Sequence, residues 1–502
     1  MRNCLLLLAI ITLITISACR KDFNTVPNFG KLEFSKDTVF LDTIFSNIGS
    51  ATYNLKVYNR SSKSITIPEI KLENGMASNY RLNVDGVSGK KFNDIDILAN
   101  DSMYVFVETT VDFNSVTNPL YTDKLLFDNG NNQQDVDLVT LIQDAHFIFP
   151  SKNSTGIQTL TIDGEESKIQ GRFLTDSELN FTAQKSYVIY GYAAVPTNKT
   201  LTIDAGTKIY FHKNSGLIID KKASLKINGT LKNKVTFEGD RLEHLYSKLP
   251  GQWGTIWLRA GSTKNEINHT IIKNGTVGIL IEDTEATTQP TLYIKNTEIY
   301  NNSNYGVLAK NTNIKGENIV IGNAGQSSLA CTYGGSYNFT HSTFANYWNN
   351  SLRQSPTVIV NNYSTEINNN QQEIIVTNDL IAANFTNCII EGNNNIEFVL
   401  EKINSSIFNY SAENSMIRFN DFNNSYQNND ALNFNDTSHY KNIILNGTPD
   451  FKNIFFNDFI IGENSDAINK AKTSIVTEDI LGVNRTTNPA IGAYQHIIFK
   501  DE

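Results

Sequence analysis

"INHTIIKNGTVGIL", residues 267–280, and "IKNTEIYNNSNYGVL", residues 294–308, are two copies of one pattern. Ile267, Thr270 and Ile272 recur as Ile294, Thr297 and Ile299, each 27 residues on, and Gly278 recurs as Gly306, 28 on. "ENIVIGN" supplies a further copy, with Val320 placed 21 residues after Ile299. "STFANYW", "TNCIIEGN" and "SSIFNYS" repeat a short strand followed by a turn. Irregular periods in the twenties, with no 3.6-residue rhythm, predict a coiled parallel β-helix. Each coil lies on the one before it and buries an inward apolar row.

Asparagine fits the same reading. The chain has 66 in 502 residues, and 38 fall between 301 and 470. Such a bias could mean disorder, but here it is interleaved with Ile, Val, Phe and Tyr at strand spacing. Asparagine tolerates left-handed backbone angles and so suits tight turns. Stacked asparagines can also hydrogen-bond as ladders.

Residues 24–148 read differently. "DTVFLDTIF", "YNLKVYNRS", "SITIPEIKL", "YRLNVDG", "SMYVFVETTVDF", "DKLLFDNG" and "QDVDLVTLIQDA" are short strands separated by Gly, Asn, Asp and Ser turns. That is the pattern of an antiparallel β-sandwich. "FPSKN", residues 149–153, marks the boundary, and the β-helix is expected over 155–496.

Both regions resemble known classes. "KVYNRSSKSITI" and "ILANDSMYVFVETTVDF" resemble immunoglobulin-like modules. "LTIDAGTKIYFHKNSGLIIDKKASLKINGTLKNKVTFEGD", residues 201–240, resembles the opening coils of bacterial right-handed β-helix proteins. "PDFKNIFFNDFIIGENSDAINKAK" and "DILGVNRTTNPAIGAYQH" resemble the closing segments of the same pectate-lyase-like class, except that Gln495 stands where an acid is usual. The expected fold is therefore all-β: an immunoglobulin-like sandwich followed by a right-handed parallel β-helix. "GDRLEHLYSKLPGQWGTIWL" resembles functionally uncharacterised Bacteroidetes surface lipoproteins.

The N-terminus agrees with that. Arg2 precedes the apolar run Leu5–Ile16, which is too short to span a bilayer, and small residues lead into Cys19. Residues 1–18 read as a signal peptide and 19–23 as a lipidated tether. "ISAC" resembles a lipobox, which implies acylation of Cys19 and an anchored, non-spanning protein. Arg20-Lys21-Asp22 partly resembles the export signal of Bacteroidetes surface lipoproteins, so the outer-membrane surface is expected, with the periplasmic face as the alternative.

Charge and motifs limit the chemistry. A net charge of -9 argues against nucleic-acid partners. Pectin hydrolases on this fold need clustered carboxylates. Their Asp-Asp, Gly-His-Gly and Arg-x-Lys signatures are absent, as are zinc, phosphate-loop and nucleophile-elbow motifs. "IDGEES", residues 162–167, reads as a turn or a cation loop. Cys331 and Cys388 remain after the signal and lipid site, either paired or as two buried thiols. No catalytic, cofactor-binding or metal residue is assigned, and no cofactor is expected.

Three residues are candidates for glycan contact. In the strand "TIWLR", alternation turns Ile256 and Leu258 inward and Trp257 and Arg259 outward. An outward Trp beside an Arg can stack on a sugar face. Alternatively, the apolar excursion 240–253 lies down on Trp257, with Trp253 in its returning turn. Trp348, near Tyr333, Tyr337 and Tyr347, is a second outward candidate. The leading expectation is a non-catalytic surface lipoprotein serving adhesion, glycan contact or structure. The alternative is a polysaccharide lyase or glycoside hydrolase working in the β-helix groove. A third reading is a subunit of a surface complex. The partners expected are the membrane, through the lipid, and a polysaccharide or surface protein.

Overall fold

In the computed structural model, residues 24–282, 289–368 and 371–499 are described. The signal segment, Cys19 and the tether lie outside them. The described elements are β-strands and single 3-10 turns, so the protein is all-β. The chain divides after Asp144 into two units.

The first unit is a two-sheet sandwich. One sheet runs through Val26–Pro27, Ile65–Leu72, Leu120–Phe127, Gln134–Gln143 and Thr38–Phe45, with Lys91–Ile97 paired to Ile65–Leu72. The other runs through Glu33–Phe34, Tyr53–Tyr58, Ser102–Thr109, Tyr80–Val84 and Val87–Gly89. Alternation drives the packing: Leu55, Val57, Leu82, Val105 and Val107 meet Val39, Ile67, Leu125 and Leu138 in one core. The sheets are not purely antiparallel as expected. Gln134–Gln143 pairs in parallel with Thr38–Phe45, and Val26–Pro27 with Ile65–Leu72.

The second unit begins at Ala145. Ala145–Ile148, placed by sequence at the end of the sandwich, stacks in parallel on Ser186–Ile189 and belongs to the helix. The boundary thus lies ahead of "FPSKN". From there the chain winds as a parallel β-helix with three walls. The first wall includes Thr200–Asp204, Ser224–Asn228 and Asn265–Asn268. The second includes Lys208–Phe211, Val235–Gly239 and Thr270–Lys273. The third includes Tyr192–Val195, Gly216–Ile219, Ile256–Leu258 and Val277–Ile281.

The sequence repeat is the stacking register. Ile267 pairs with Ile294 and Ile272 with Ile299. Gly278 lies opposite Gly306, where an added Cβ would come within 2.5 Å of the Gly306 carbonyl oxygen. The third copy is offset by one from the expected alignment: Ile321, not Val320, stacks on Ile299. Val320 faces outward instead, because a one-residue slip in a strand reverses the face. "SSIFNYS" likewise precedes a first-wall strand, Ser411–Glu413, whereas "STFANYW" and "TNCIIEGN" stack in the second wall.

The corner between the first and second walls is a column of His269, Asn296, Asn318, His341, Asn387, Asn414 and Asn442, all with φ between 46° and 56°. Left-handed backbone turns the chain there, and asparagine accepts it at low cost. The side chains form a ladder in part. Asn318 donates to Asn296 at 3.1 Å, and Asn387 lies 2.9 Å from the His341 Nε2.

The closing segment does not merely end the helix. It runs back over the outer face of the second wall. Phe459, Ile480 and Tyr494 pack on Val320 and Ala345, and Ile461, Ala467 and Ile491 pack on Ile389 and Met416. Cys331 and Cys388 are free buried thiols in the helix core, each raised in pKa by burial.

Candidate functional site

The third wall presents a row of outward side chains that includes Trp257. Register aligns Ala194, Ile218, Trp257, Leu280, Leu308, Ala330, Ile359 and Val399 in one outward apolar row. Trp257 does point outward. It is half-buried, but the excursion 240–253 does not cover it: Leu245 is 83% exposed. Its cover is the hairpin Thr159–Ile162 and Glu165–Phe173, which lays Leu160, Ile162 and Ile169 against it and Ile218.

"IDGEES" is the turn of that hairpin. Asp163 and Gly164 both have positive φ, 52° and 86°, as a two-residue hairpin loop requires. Asp163 accepts a hydrogen bond from Arg259 at 2.5 Å, and Asp220 takes the other guanidinium arm. Arg259 is buried, and its two terminal nitrogens are held by these two acids, while its Nε has no partner. It is a clasp for the hairpin, not a group turned to a ligand.

The other tryptophans are packing residues. Trp253 is 1% exposed and lies in the core, not in a surface turn. Its ring stacks on Phe211 at 4.4 Å, and its Nε1 donates to the Lys273 carbonyl at 2.9 Å. Trp348, expected to face outward, is 6% exposed and donates to Ser351. The structure therefore does not bring Trp257, Arg259 and Trp348 into one open site. Tyr337 is inward, and Tyr347 packs on Phe451 and Phe459.

Two charged pairs lie near Trp348. Arg353 and Glu397 form a fully buried pair at 2.5 Å. Glu397 also accepts from the backbone and hydroxyl of Thr357, each at 2.8 Å, so every lone-pair direction is used by the fold. Glu391 pairs with Arg418 at 3.1 Å through Oε1, while its Oε2 is buried without a partner. Burial pushes the Glu391 carboxyl up to about 7, against the pull of Arg418.

An open cavity of about 540 Å³ lies beside the hairpin at 159–173, lined by Lys168, Gln170, Tyr192 and Thr255 among others, and a candidate site richer in titratable groups lies on the last coils. A cavity of about 650 Å³ lies between the hairpin Tyr363–Ile367 and Glu373–Thr377 on one side and residues 428–439 on the other. Tyr410 and His439 line it as a stacked pair, their rings facing each other at 4.1 Å and 13°, so each covers one face of the other. His439 Nδ1 donates to the Tyr410 carbonyl at 2.9 Å. Across the cavity, the Tyr363 hydroxyl donates to Glu401 at 2.7 Å. Burial, then Glu401, pushes the Tyr363 phenol up to about 12. Asp430 and Asp436 complete the acidic lining. The Asp436 carboxyl is held below its ordinary range by the Ser438 hydroxyl. Among the described residues no three His, Cys, Asp or Glu side chains gather in a metal-binding arrangement.

Sequence reading missed this site because it is built by insertions. Ala309 and Cys331 stack with an offset of 22 residues, whereas Val360 and Leu400 stack with an offset of 40. That lengthened coil, with its "NNYSTEINNNQQEIIVTND" excursion, was the available signal.

Fold and cavity together define a three-walled parallel β-helix with a ring-lined groove on its side. No protein-family model matches the chain, and no curated protein is similar to it. Two solved structures show faint likeness. One is a catalytic unit of a thermostable GH87 α-1,3-glucanase from Streptomyces thermodiastaticus strain HF3-3, with 10% identity over 72% of this chain and 74% of that one, at a TM-score of 0.26. The other is a family 123 glycoside hydrolase from Clostridium perfringens, with 10% identity over 22% of this chain and 25% of that one, at a TM-score of 0.16. The architecture described above stands on strand pairing alone.

Proposed function

We propose that the chain is a lipid-anchored outer-membrane surface protein whose β-helix holds an extracellular glycan in the groove at its last coils without cleaving it. One observation carries the reading. The groove is lined by the stacked Tyr410–His439 pair beside carboxylate and amide acceptors, in a cavity of about 650 Å³. Flat rings cover the apolar face of a sugar, and planar acceptors take its hydroxyls. The Asp436 carboxyl is held low, the opposite of what a general acid needs. The anchor reading is supported by the "ISAC" motif at Cys19.

The hydrolase alternative has one observation in its favour: Glu401, Asp430, Asp436 and His439 share the groove. A glycan array, followed by calorimetry with wild type and Tyr410→Ala, tests the binding reading. Tyr410-dependent binding is expected, and its absence overturns it. New reducing ends or unsaturated products from a bound glycan favour the enzyme instead. Cys19→Ala is expected to release the protein from membranes, and continued membrane association defeats the anchor.

A further inference from the structure

The walls of the groove are not neutral. Glu401, Asp430 and Asp436 face the cavity, and Lys402 is the one lysine or arginine among the groups lining it. Tyr363 occupies one oxygen of Glu401. The remaining carboxylate oxygens are acceptors without a matching supply of cationic donors. The field reinforces this locally: Tyr410 is raised by burial and then by Asp436 and Asp430, and Tyr426 by burial, Glu401 and Asp421. The whole chain carries a net charge of -9.

We infer that the groove selects uncharged or amino-bearing glycans and rejects polyanionic ones such as polyuronates. This rests on the glycan-holding reading of the same groove. A uronate seated against the Tyr410–His439 pair brings its carboxylate among three others at close range, where like charges repel most strongly at low salt. A hexose instead offers hydroxyl donors to those carboxylates. A glucosamine adds an ammonium, which forms the stronger charge-assisted bonds. The rings give affinity, and the acids decide which sugar receives it.

The test uses three linear hexamers: glucosamine, glucose and galacturonate. Binding to the folded protein is measured by calorimetry at low and at moderate salt. Galacturonate is expected to bind weakest, with glucosamine at least about tenfold tighter at low salt and the gap shrinking as salt is added. Asp430→Asn, at an exposed position, is expected to weaken glucosamine binding more than glucose binding and to narrow the gap between glucosamine and galacturonate about threefold to tenfold. Galacturonate binding that equals or exceeds glucosamine binding, and that Tyr410→Ala abolishes, overturns the charge selection while leaving the glycan reading intact. Hexamer binding that Tyr410→Ala leaves unchanged, or no binding at all, overturns both. In that case any attraction belongs to the chain's overall charge.

Discussion

The outer face of the third wall and the groove on the last coils use the same residue types for opposite ends. On the wall, Trp257, Arg259 and Asp163 close on one another, and at the turn leading into it Arg353 closes on Glu397. In the groove, Tyr410, His439, Glu401 and Asp430 line a cavity. What separates them is the inserted segment. The hairpin at 159–173 folds flat onto its wall, pinned by an ion triad. The hairpin at 363–377 stands beside its coil and leaves a gap. An aromatic next to a charge on this β-helix lines an open cavity where the insertion stands off and is covered where the insertion lies down on it.

Breaking the closed face should show the largest effect. Glu397→Gln leaves the Arg353 guanidinium buried at 1% side-chain exposure without its counter-charge. Removing one partner of such a pair costs about 3–5 kcal/mol. Urea unfolding should report that loss for the second unit. A loss near zero would mean that this part of the wall is open to water.

Buried polar groups in the closed regions also predict a pH response. Burial holds the His341 imidazole down at about 3, with Arg485 adding to the effect. The unfolded chain takes up that proton near pH 6.5, and the folded chain does not. Stability from this group is therefore complete above pH 6.5 and is lost as the pH falls. The loss is about 2 kcal/mol by pH 5. Glu391 slopes the other way. Its carboxyl sits at about 7 in the fold, so its burial costs stability as pH rises from its ordinary value of 4.5 toward 7. Between pH 4.5 and 6.5 the two slopes oppose each other. His341→Asn keeps a residue suited to φ 49° and should leave stability falling as the pH rises through this window. Glu391→Gln should leave it rising with pH up to about 6.5. Unfolding midpoints measured from pH 5 to pH 8 separate the two, and parallel curves for all three proteins would contradict both assignments.

Arg259→Met should cost less, about 1–2 kcal/mol, because Asp163 is 68% exposed and can rehydrate. Its clearer signature is local. Loosening the clasp frees the hairpin, so limited proteolysis should cut near residues 163–167 while the coils stay intact. Protection equal to wild type would show that the apolar contact with Trp257 holds the hairpin unaided.

The contrast also explains what the sequence could say. Inward rows were legible, because Ile267, Ile294, Ile272 and Ile299 alternate at period two and recur at coil length. The left-handed corners were legible through asparagine. Outward direction was legible too, since Trp257 does face out. Cover was not. The acid that closes the hairpin turn over Trp257 is Asp163, 96 residues before the Arg259 it binds, and no local pattern pairs them. The groove was hidden for a related reason. Its residues, Tyr363, Glu401, Tyr410 and His439, come from separate coils and share no motif.

The smallest expected effect is also the sharpest separation of the two faces. Asp430 is exposed at the groove rim, and its loss breaks no buried pair. Asp430→Asn should therefore change stability by less than about 0.5 kcal/mol. An acid on the closed face cannot be neutralised so cheaply, because its partner is left behind in a dry site, as with Glu397. A destabilisation of Asp430→Asn comparable to that of Glu397→Gln would place Asp430 in a structural clamp like those of the wall. The groove would then be a second closed surface, and its carboxylates would be there to hold the 428–439 segment in place, not to meet a ligand.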